Sequence, residues 1–255
     1  MSMSITHGMA HGTPCWVDLG SPDLGAASDF YGALFGWHFE ETEEGYLQAR
    51  LGGAPVAGIG AVGPDDLPWW TTYIAVDDAH ASVSAAVAAG GELVTGPQWV
   101  GEQGISAYLK DPAGASLAIW QAESFAGSQV LGRPGASCWY ELAVRDPLRA
   151  QRFYQAVFGW DGVTRSVADA TSAYTDFGRH GETVAGMIRM NEMWPDEIPA
   201  HWMVYFAVDD CDAAASDVTS LGGVVSIAPF DIAPGRVSVV NDPHGAVFSL
   251  IRLSA

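Results

Sequence analysis

Basic residues are scarce in this chain. Its 255 residues include 11 lysines and arginines against 30 aspartates and glutamates, a formal charge of −19. Such a surface repels phosphate backbones, so nucleic acid is excluded as a partner, and anionic membranes are disfavoured in the same way. Long apolar runs are also missing. No stretch of about 20 apolar residues occurs, the length a membrane-spanning helix needs. Met1 to Gly12 carries neither the basic region nor the apolar run of a signal peptide, so the sequence predicts a cytoplasmic protein. There are only three cysteines, Cys15, Cys138 and Cys211, with no CxxC and no dense disulfide pattern. They read as small buried residues, with a nucleophile as the alternative. His7, His11, His38, His80, His180, His201 and His244 fall in separate segments and form no HxH or HExxH. No GxGxxG between strand and helix, no phosphate loop and no GxSxG elbow is present, so no organic cofactor is expected.

What the chain does have is apolar content, 49%, enough for a real core. It also has an internal repeat. FYGALFGW at 30–37 returns as FYQAVFGW at 153–160. Upstream, CWVDL at 15–19 pairs with CWYEL at 138–142. Downstream, WWTTYIAVDD at 69–78 pairs with HWMVYFAVDD at 201–210, Gly90-Gly91 with Gly222-Gly223, and GISAYLKDPAGASLAIW at 104–120 with GRVSVVNDPHGAVFSLI at 235–251. Five matched blocks in one order indicate a duplication. The expected domains are 12–122 and 137–252, joined by a Gly-, Ser- and Pro-containing linker at 123–136.

Each copy reads as strand, helix and three strands, performed twice. In the first, residues 14–19 alternate as a strand. Pro22 and Asp23 suit a helix start, and 24–35 forms a helix ending at Gly36 with Leu24, Ala27, Phe30, Tyr31 and Leu34 at helical spacing. Strands follow near 37–41, 45–51 and 55–62, then a break at GPDDLP, a strand from Thr71 to Val76 and a helix from Ala79 to Ala89. Short strands follow near 93–94, 105–110 and 115–120. VTGPQWVGEQG at 94–104 reads as a mobile mouth loop. MNEMWPDEIPAHW at 190–202 reads as either a lid or a surface connection. Asp65-Asp66 and Asp77-Asp78 read as turn or cap residues. Phe30, Tyr31, Phe35 and their copies read as packing residues, whereas Trp37 and Trp160 suit either the core or a pocket rim.

These blocks resemble the glyoxalase, bleomycin-resistance and extradiol-dioxygenase superfamily, the vicinal oxygen chelate fold. The resemblance rests on PDLGAASDFYGALFGW, IAVDD with its helix and Gly-Gly, and KDPAGASLAIW, together with RDPLRAQRFYQAVFGW, FAVDD and NDPHGAVFSLI. It covers residues 12–252. It implies an α+β protein of four strand–helix–three-strand modules forming two tandem domains with cupped mixed sheets. The CWVDL and CWYEL openings are further similar to a two-domain actinobacterial subgroup of antigens and hydroxylase-like proteins of aromatic polyketide pathways. The resemblance places family metal ligands on inward strand positions that here hold Trp16 and Trp139, Thr71 and Met203, and Ala118 and Ser249. Indole, methyl and thioether groups do not supply the ligands that Fe, Mn, Ni or Zn needs, so no catalytic metal is expected. A site using Asp18 or Glu141 is the exception left open.

Strand alternation puts Trp16 with Asp18, and Trp139 with Glu141, on the face away from the helix. Tyr73 and Tyr205 join them from the middle strands, and Ser116, Trp120 and Ser249 from the last. Aromatic walls suit a planar, largely apolar ligand. The expected site therefore has Trp16, Tyr73, Trp120, Trp139, Tyr205 and Ser249 binding the ligand, and Asp18 and Glu141 as proton carriers. The tryptophans filling a site that lost its metal, and the acids anchoring a neighbour, are the plainer readings. The expected partner is a small aromatic molecule and the expected state a monomer or homodimer. Three functions follow: metal-independent acid/base or hydroxylation-type chemistry in secondary metabolism, non-catalytic sequestration or resistance, and metal-dependent lyase, isomerase or dioxygenase activity with unusually placed ligands.

Overall fold

The computed structural model describes residues 9–43, 45–166 and 173–254. His7 and most of the segment read for a signal peptide lie outside them. The described residues form sixteen strands and four helices. The first repeat runs β1 (Pro14–Ser21), α1 (Leu24–Phe35), β2 (His38–Glu43), β3 (Tyr46–Leu51), β4 (Ala54–Ala61), β5 (Trp69–Ala75), α2 (Ala79–Ala88), β6 (Glu92–Val100), β7 (Gly104–Lys110) and β8 (Ser116–Ala122). The second runs β9 (Ser137–Val144), α3 (Pro147–Phe158), β10 (Asp161–Ser166), β11 (Ala173–Arg179), β12 (Glu182–Arg189), β13 (His201–Ala207), α4 (Cys211–Ser220), β14 (Val224–Ile232), β15 (Gly235–Asn241) and β16 (Val247–Leu253). Strand–helix–three strands is thus performed four times. Each repeat makes one eight-stranded mixed sheet, in the orders β2-β3-β4-β1-β5-β8-β7-β6 and β10-β11-β12-β9-β13-β16-β15-β14. The first and last strands of each module pair in parallel, β1 with β4 and β9 with β12 among them, and hairpins pair antiparallel.

Local chemistry sets the helix ends. Asp23 and Asp146 accept the N–H of Ala26 and Arg149, and Pro147 opens α3 where no N–H is needed. Gly36 and Gly159 close α1 and α3 in the left-handed conformation. Asp78 and Asp210 cap α2 and α4, and Asp66 accepts the N–H of Gly63 in the turn before β5. On α1 the buried large side chains are Phe30, Tyr31 and Phe35, while Leu24 and Leu34 are only half-buried. The segment 94–100 is strand rather than mouth loop. β6 continues to Val100 along β7, with register shifts between Leu93 and Thr95 and between Thr95 and Gln98. Those irregularities absorb Gly96-Pro97, because proline has no N–H for the ladder.

By contact, the chain divides into two compact units, each assembled from both repeats. One comprises residues 1–15, 72–127 and 140–202, and the other 16–71, 128–139 and 203–255. The repeat limits 12–122, 123–136 and 137–252 are our proposal for the domains as units of sequence.

The unit containing 16–71 has an aromatic core of Tyr31, Phe35, Trp37, Trp70, Phe206 and Phe248. At its centre Trp70 Nε1 donates to Tyr31 Oη (3.1 Å), which donates to Asp242 Oδ2 (3.2 Å). The other oxygen of Asp242 accepts the N–H groups of His244 and Ala246, both at 2.9 Å, and so shapes the DPHG turn. Trp37 Nε1 donates to the Gly135 carbonyl. The unit containing 72–127 repeats the device. Trp202 Nε1 donates to Tyr154 Oη (2.9 Å), which donates to Asp111 Oδ2 (3.0 Å), and Asp111 Oδ1 accepts from Ala113 and Ala115. Trp160 Nε1 donates to the Gly12 carbonyl. Trp37 and Trp160 are 4% and 1% exposed, which resolves them as core rather than rim. Burial pushes both tyrosine hydroxyls well above the ordinary phenol range, and the facing carboxylates add to it. Burial likewise raises Asp111.

Candidate functional site

In the unit containing 16–71, β1 carries Trp16 and Asp18, 5% and 9% exposed. Val17 and Leu19, between and beyond them, are fully buried, as the alternating strand requires. Asp18 pairs with Gly58 on β4, and Gly58 pairs with Gln48 on β3. These three positions therefore form one row across the sheet. Gly58 matters because it has no side chain: a Cβ there would clash with the Tyr46 hydroxyl and lie 3.2 Å from the Asp18 Cβ. The phenol thus lies over bare backbone beside Asp18. Its oxygen accepts a 3.0 Å hydrogen bond from Trp16 Nε1. Thr71 accepts from Trp69 Nε1 at 3.1 Å.

The same unit holds Trp139, Tyr205 and Ser249. Tyr205 on β13 and Ser249 on β16 are register partners. Trp139 and Tyr205 are half-buried, and the Cys138 thiol donates to the Tyr205 carbonyl. Ser249 is fully buried, and among the described residues its hydroxyl oxygen has no hydrogen-bond partner. An orphaned hydroxyl of this kind is costly and calls for an explanation.

In the unit containing 72–127, Tyr73 and Trp120 belong to an aromatic wall that includes Tyr108 and Phe125. Tyr73 pairs across the sheet with Ala118, which pairs with Tyr108. The Tyr73 and Tyr108 hydroxyls share a hydrogen bond, and their rings meet edge to face at 5.8 Å. Trp120 Nε1 donates to the Phe125 carbonyl at 2.8 Å. Ala118 is the small floor between the two tyrosines, while Ser116 is exposed at the strand start. Glu141 lies in this unit too, in a row with Gly186 and Asp176. That row repeats Asp18, Gly58 and Gln48 with a carboxylate in place of the amide, and Arg165 grips Asp176 through two bonds of 2.8 and 3.1 Å and lies 5.4 Å over the Tyr174 ring. The segment 190–202 is tied down by Arg145, which donates to the Pro195 and Ile198 carbonyls.

The structure therefore brings Trp16 and Asp18 together, pairs Tyr205 with Ser249, and puts Tyr73 and Trp120 in one aromatic wall. Glu141 stands in the other unit from Asp18. Tyr46, Gln48, Gly58 and Tyr108 were missed as site residues. The signal was the alternation in YLQAR and SAYLK, which sets Tyr46 with Gln48, and Ser106 with Tyr108, on one face.

The thiols are not nucleophiles at neutral pH. Burial pushes Cys138 up to about 12 and Cys15 higher still, and Cys211 rises to about 11. The donor set does not fit a family metal either. Among the described residues, no three His, Cys, Asp or Glu side chains come together to hold one. No described helix is long and apolar enough to cross a membrane.

A family model, described as the Glyoxalase/Bleomycin resistance protein/Dioxygenase superfamily, matches residues 14–119 and again 138–250. The chain is 38% identical over 251 residues to a Mycobacterium tuberculosis protein called "Putative glyoxylase CFP32", covering 94% of this chain and 95% of that one. It is 35% identical over 264 residues to the anthracycline biosynthesis protein DnrV of Streptomyces peucetius, covering 96% and 94%. The Mn(II)-bound glyoxalase from Novosphingobium aromaticivorans superposes with a TM-score of 0.68 at 16% identity, covering 96% of this chain and 83% of that one. At that identity the likeness shows the shared fold alone.

Proposed function

The chain belongs to the glyoxalase/bleomycin resistance protein/dioxygenase superfamily, and we propose that it binds a small planar, aromatic metabolite and carries out metal-independent acid/base chemistry on it. The observation that carries this reading is the cluster of Trp16, Tyr46 and Asp18, where an indole, a phenol and a carboxylate share one face of β1, β4 and β3. The indole and the aromatic wall of Tyr73, Tyr108 and Trp120 offer flat contact area with little rotamer entropy to lose. In the second repeat Trp139 and Tyr205 stand where Trp16 and Tyr73 do in the first, and Ser249 where Ala118 does. Asp18 and Glu141 are the groups placed to take or return a proton, provided a ligand hydrogen comes within hydrogen-bond reach. The names of DnrV and DauV, anthracycline biosynthesis proteins, support a polycyclic aromatic ligand. A hydroxylation would need reducing equivalents from the substrate or a second enzyme, so proton transfer is the step we assign to this chain. A metal would need donors that these residues do not bring together, and no step is assigned to one.

Native mass spectrometry of the purified protein, read with elemental analysis, tests this. The expected result is a bound organic molecule with aromatic absorbance and less than stoichiometric Fe, Mn, Ni and Zn. Trp16→Ala should weaken its retention at least about ten-fold, as loss of an aromatic anchor does. A stoichiometric transition metal would overturn the metal-free reading. Once a substrate is in hand, Asp18→Asn and Glu141→Gln should each cut turnover by about 10²–10⁴ if their residue is the proton carrier. Unchanged turnover in both removes the acids from the mechanism and leaves sequestration as the function.

A further inference from the structure

Gln48 is the one polar side chain in the row across β1, β4 and β3 whose chemistry the proposed function leaves unused. It is 6% exposed, and its Oε1 is buried with no hydrogen-bond partner among the described residues. It stands two strands from Asp18, about 10 Å away. Only the side-chain-free Gly58 lies between them in the row, with the Tyr46 hydroxyl above it. Buried amide oxygens are ordinarily satisfied, so one that is not marks either a cost to the fold or an acceptor awaiting a donor.

The duplication supplies an internal control. At the equivalent place in the second repeat the chain has Asp176, in the same row with Gly186 and Glu141. There the acceptor is fully engaged: Arg165 binds both carboxylate oxygens. The first repeat has an arginine nearby as well, Arg50 on the same strand β3, but it pairs with Glu40 and donates to the Gly53 carbonyl. The position is thus neutralised by a cation in one copy, and in the other is a neutral amide with an open acceptor.

We propose that Gln48 is a specificity-determining residue which accepts a hydrogen bond from a hydroxyl on the edge of the aromatic ligand. This rests on the aromatic-ligand reading above and narrows it to phenolic compounds. Trp16 supplies the flat contact, and Gln48 Oε1 takes the phenolic proton donor. Asp18 at the far end of the row, and the Tyr46 hydroxyl that reaches over Gly58 from two residues along β3, hold the polar edge of the ring toward β3. A site built around such an acceptor rejects an analogue lacking the hydroxyl, because the acceptor is then left buried and unpaired.

The test compares 2-naphthol with 2-methylnaphthalene by isothermal titration calorimetry on the full-length protein. The two are near-isosteres, and the methyl compound is the more apolar, so without a hydrogen bond it binds more tightly. The wild type should prefer 2-naphthol by at least ten-fold. In Gln48→Leu the preference should vanish or invert, with 2-methylnaphthalene bound as well as or better than by the wild type. The ligand-free variant should melt no lower than the wild type, since it loses an unpartnered acceptor. A lowered melting temperature with the naphthol preference intact would make Gln48 structural and overturn the proposal. An intact preference at unchanged melting temperature also overturns it, while leaving the aromatic-ligand reading standing. Failure of the wild type to bind either compound overturns that reading and this inference together.

Discussion

Asp111→Ala will lower the unfolding free energy by about 3–5 kcal/mol, read from urea denaturation at neutral pH. The size follows from what the carboxylate holds. One oxygen accepts the N–H groups of Ala113 and Ala115 at 2.8 and 3.0 Å, and the other accepts the Tyr154 hydroxyl at 3.0 Å. Asp111 is 3% exposed, so alanine leaves these donors with little access to water. Each buried donor stranded in this way costs about 1–3 kcal/mol. Tyr154 also loses its anchor while still receiving the indole N–H of Trp202. Tyr154→Phe should cost less, about 1–3 kcal/mol. The double variant should fall short of the sum, because both substitutions break the same bond.

The pH dependence of this pair has a definite sign. Burial raises the Asp111 pKa above its ordinary value. The folded state therefore holds that proton more tightly than the unfolded chain does. Its contribution is full below the unfolded pKa and declines as pH rises through the raised folded pKa. Asp111→Asn removes this titration. The stability difference between wild type and Asp111→Asn should accordingly be largest in acid and shrink toward neutrality. A difference that grows with pH would mean the carboxylate is stabilised as the anion.

Much of the fold was legible because duplication and capping are written locally. Asp23 and Gly36 bracket α1, and Asp146 and Gly159 bracket α3, within a dozen residues each. The parity of β1 likewise set Trp16 and Asp18 on one face. What was not legible joins distant parts of the chain. Tyr31 meets Asp242 across 211 residues, and Tyr154 meets Asp111 across 43. Both tyrosines belong to the repeated FY phrase and both acids to the repeated DP turn. Nothing in either repeat alone says that each tyrosine takes the acid of the other copy. Gln48 and Tyr46 escaped notice for a different reason: their role depends on which strands flank β3 and on the missing side chain of Gly58. The Gly-Pro pair in β6 misled because bulges, which absorb a missing N–H, leave little trace in sequence.

The exchange of partners leads to the second prediction: neither repeat will form a folded monomer by itself. In the unit containing 16–71, the first repeat contributes Tyr31, Phe35, Trp37 and Trp70, and the second contributes Phe206, Phe248 and Asp242. Phe35 and Phe206 stand 5.0 Å apart between ring centroids, and Trp70 and Phe206 5.1 Å. A fragment ending at Gly132 would leave those four aromatics without the rings they pack against. Exposure of a buried aromatic costs about 1.5–3 kcal/mol, so the four together rival the 5–15 kcal/mol that holds an ordinary domain folded. The fragment also strands the Tyr31 hydroxyl, and with it the Trp70 indole. It should therefore show no cooperative thermal transition as a monomer. If it folds, it should do so as a dimer in which Asp111 of a second copy serves the Tyr31 of the first. Cutting the intact protein at a protease site inserted between Gly132 and Arg133, both exposed, should have a small effect by contrast. The two pieces should co-elute in gel filtration and melt in one transition, since the aromatic contacts that join them, Phe35 and Trp70 with Phe206 among them, lie outside the linker. A 1–132 fragment that is monomeric at micromolar concentration and melts cooperatively would refute this interdependence.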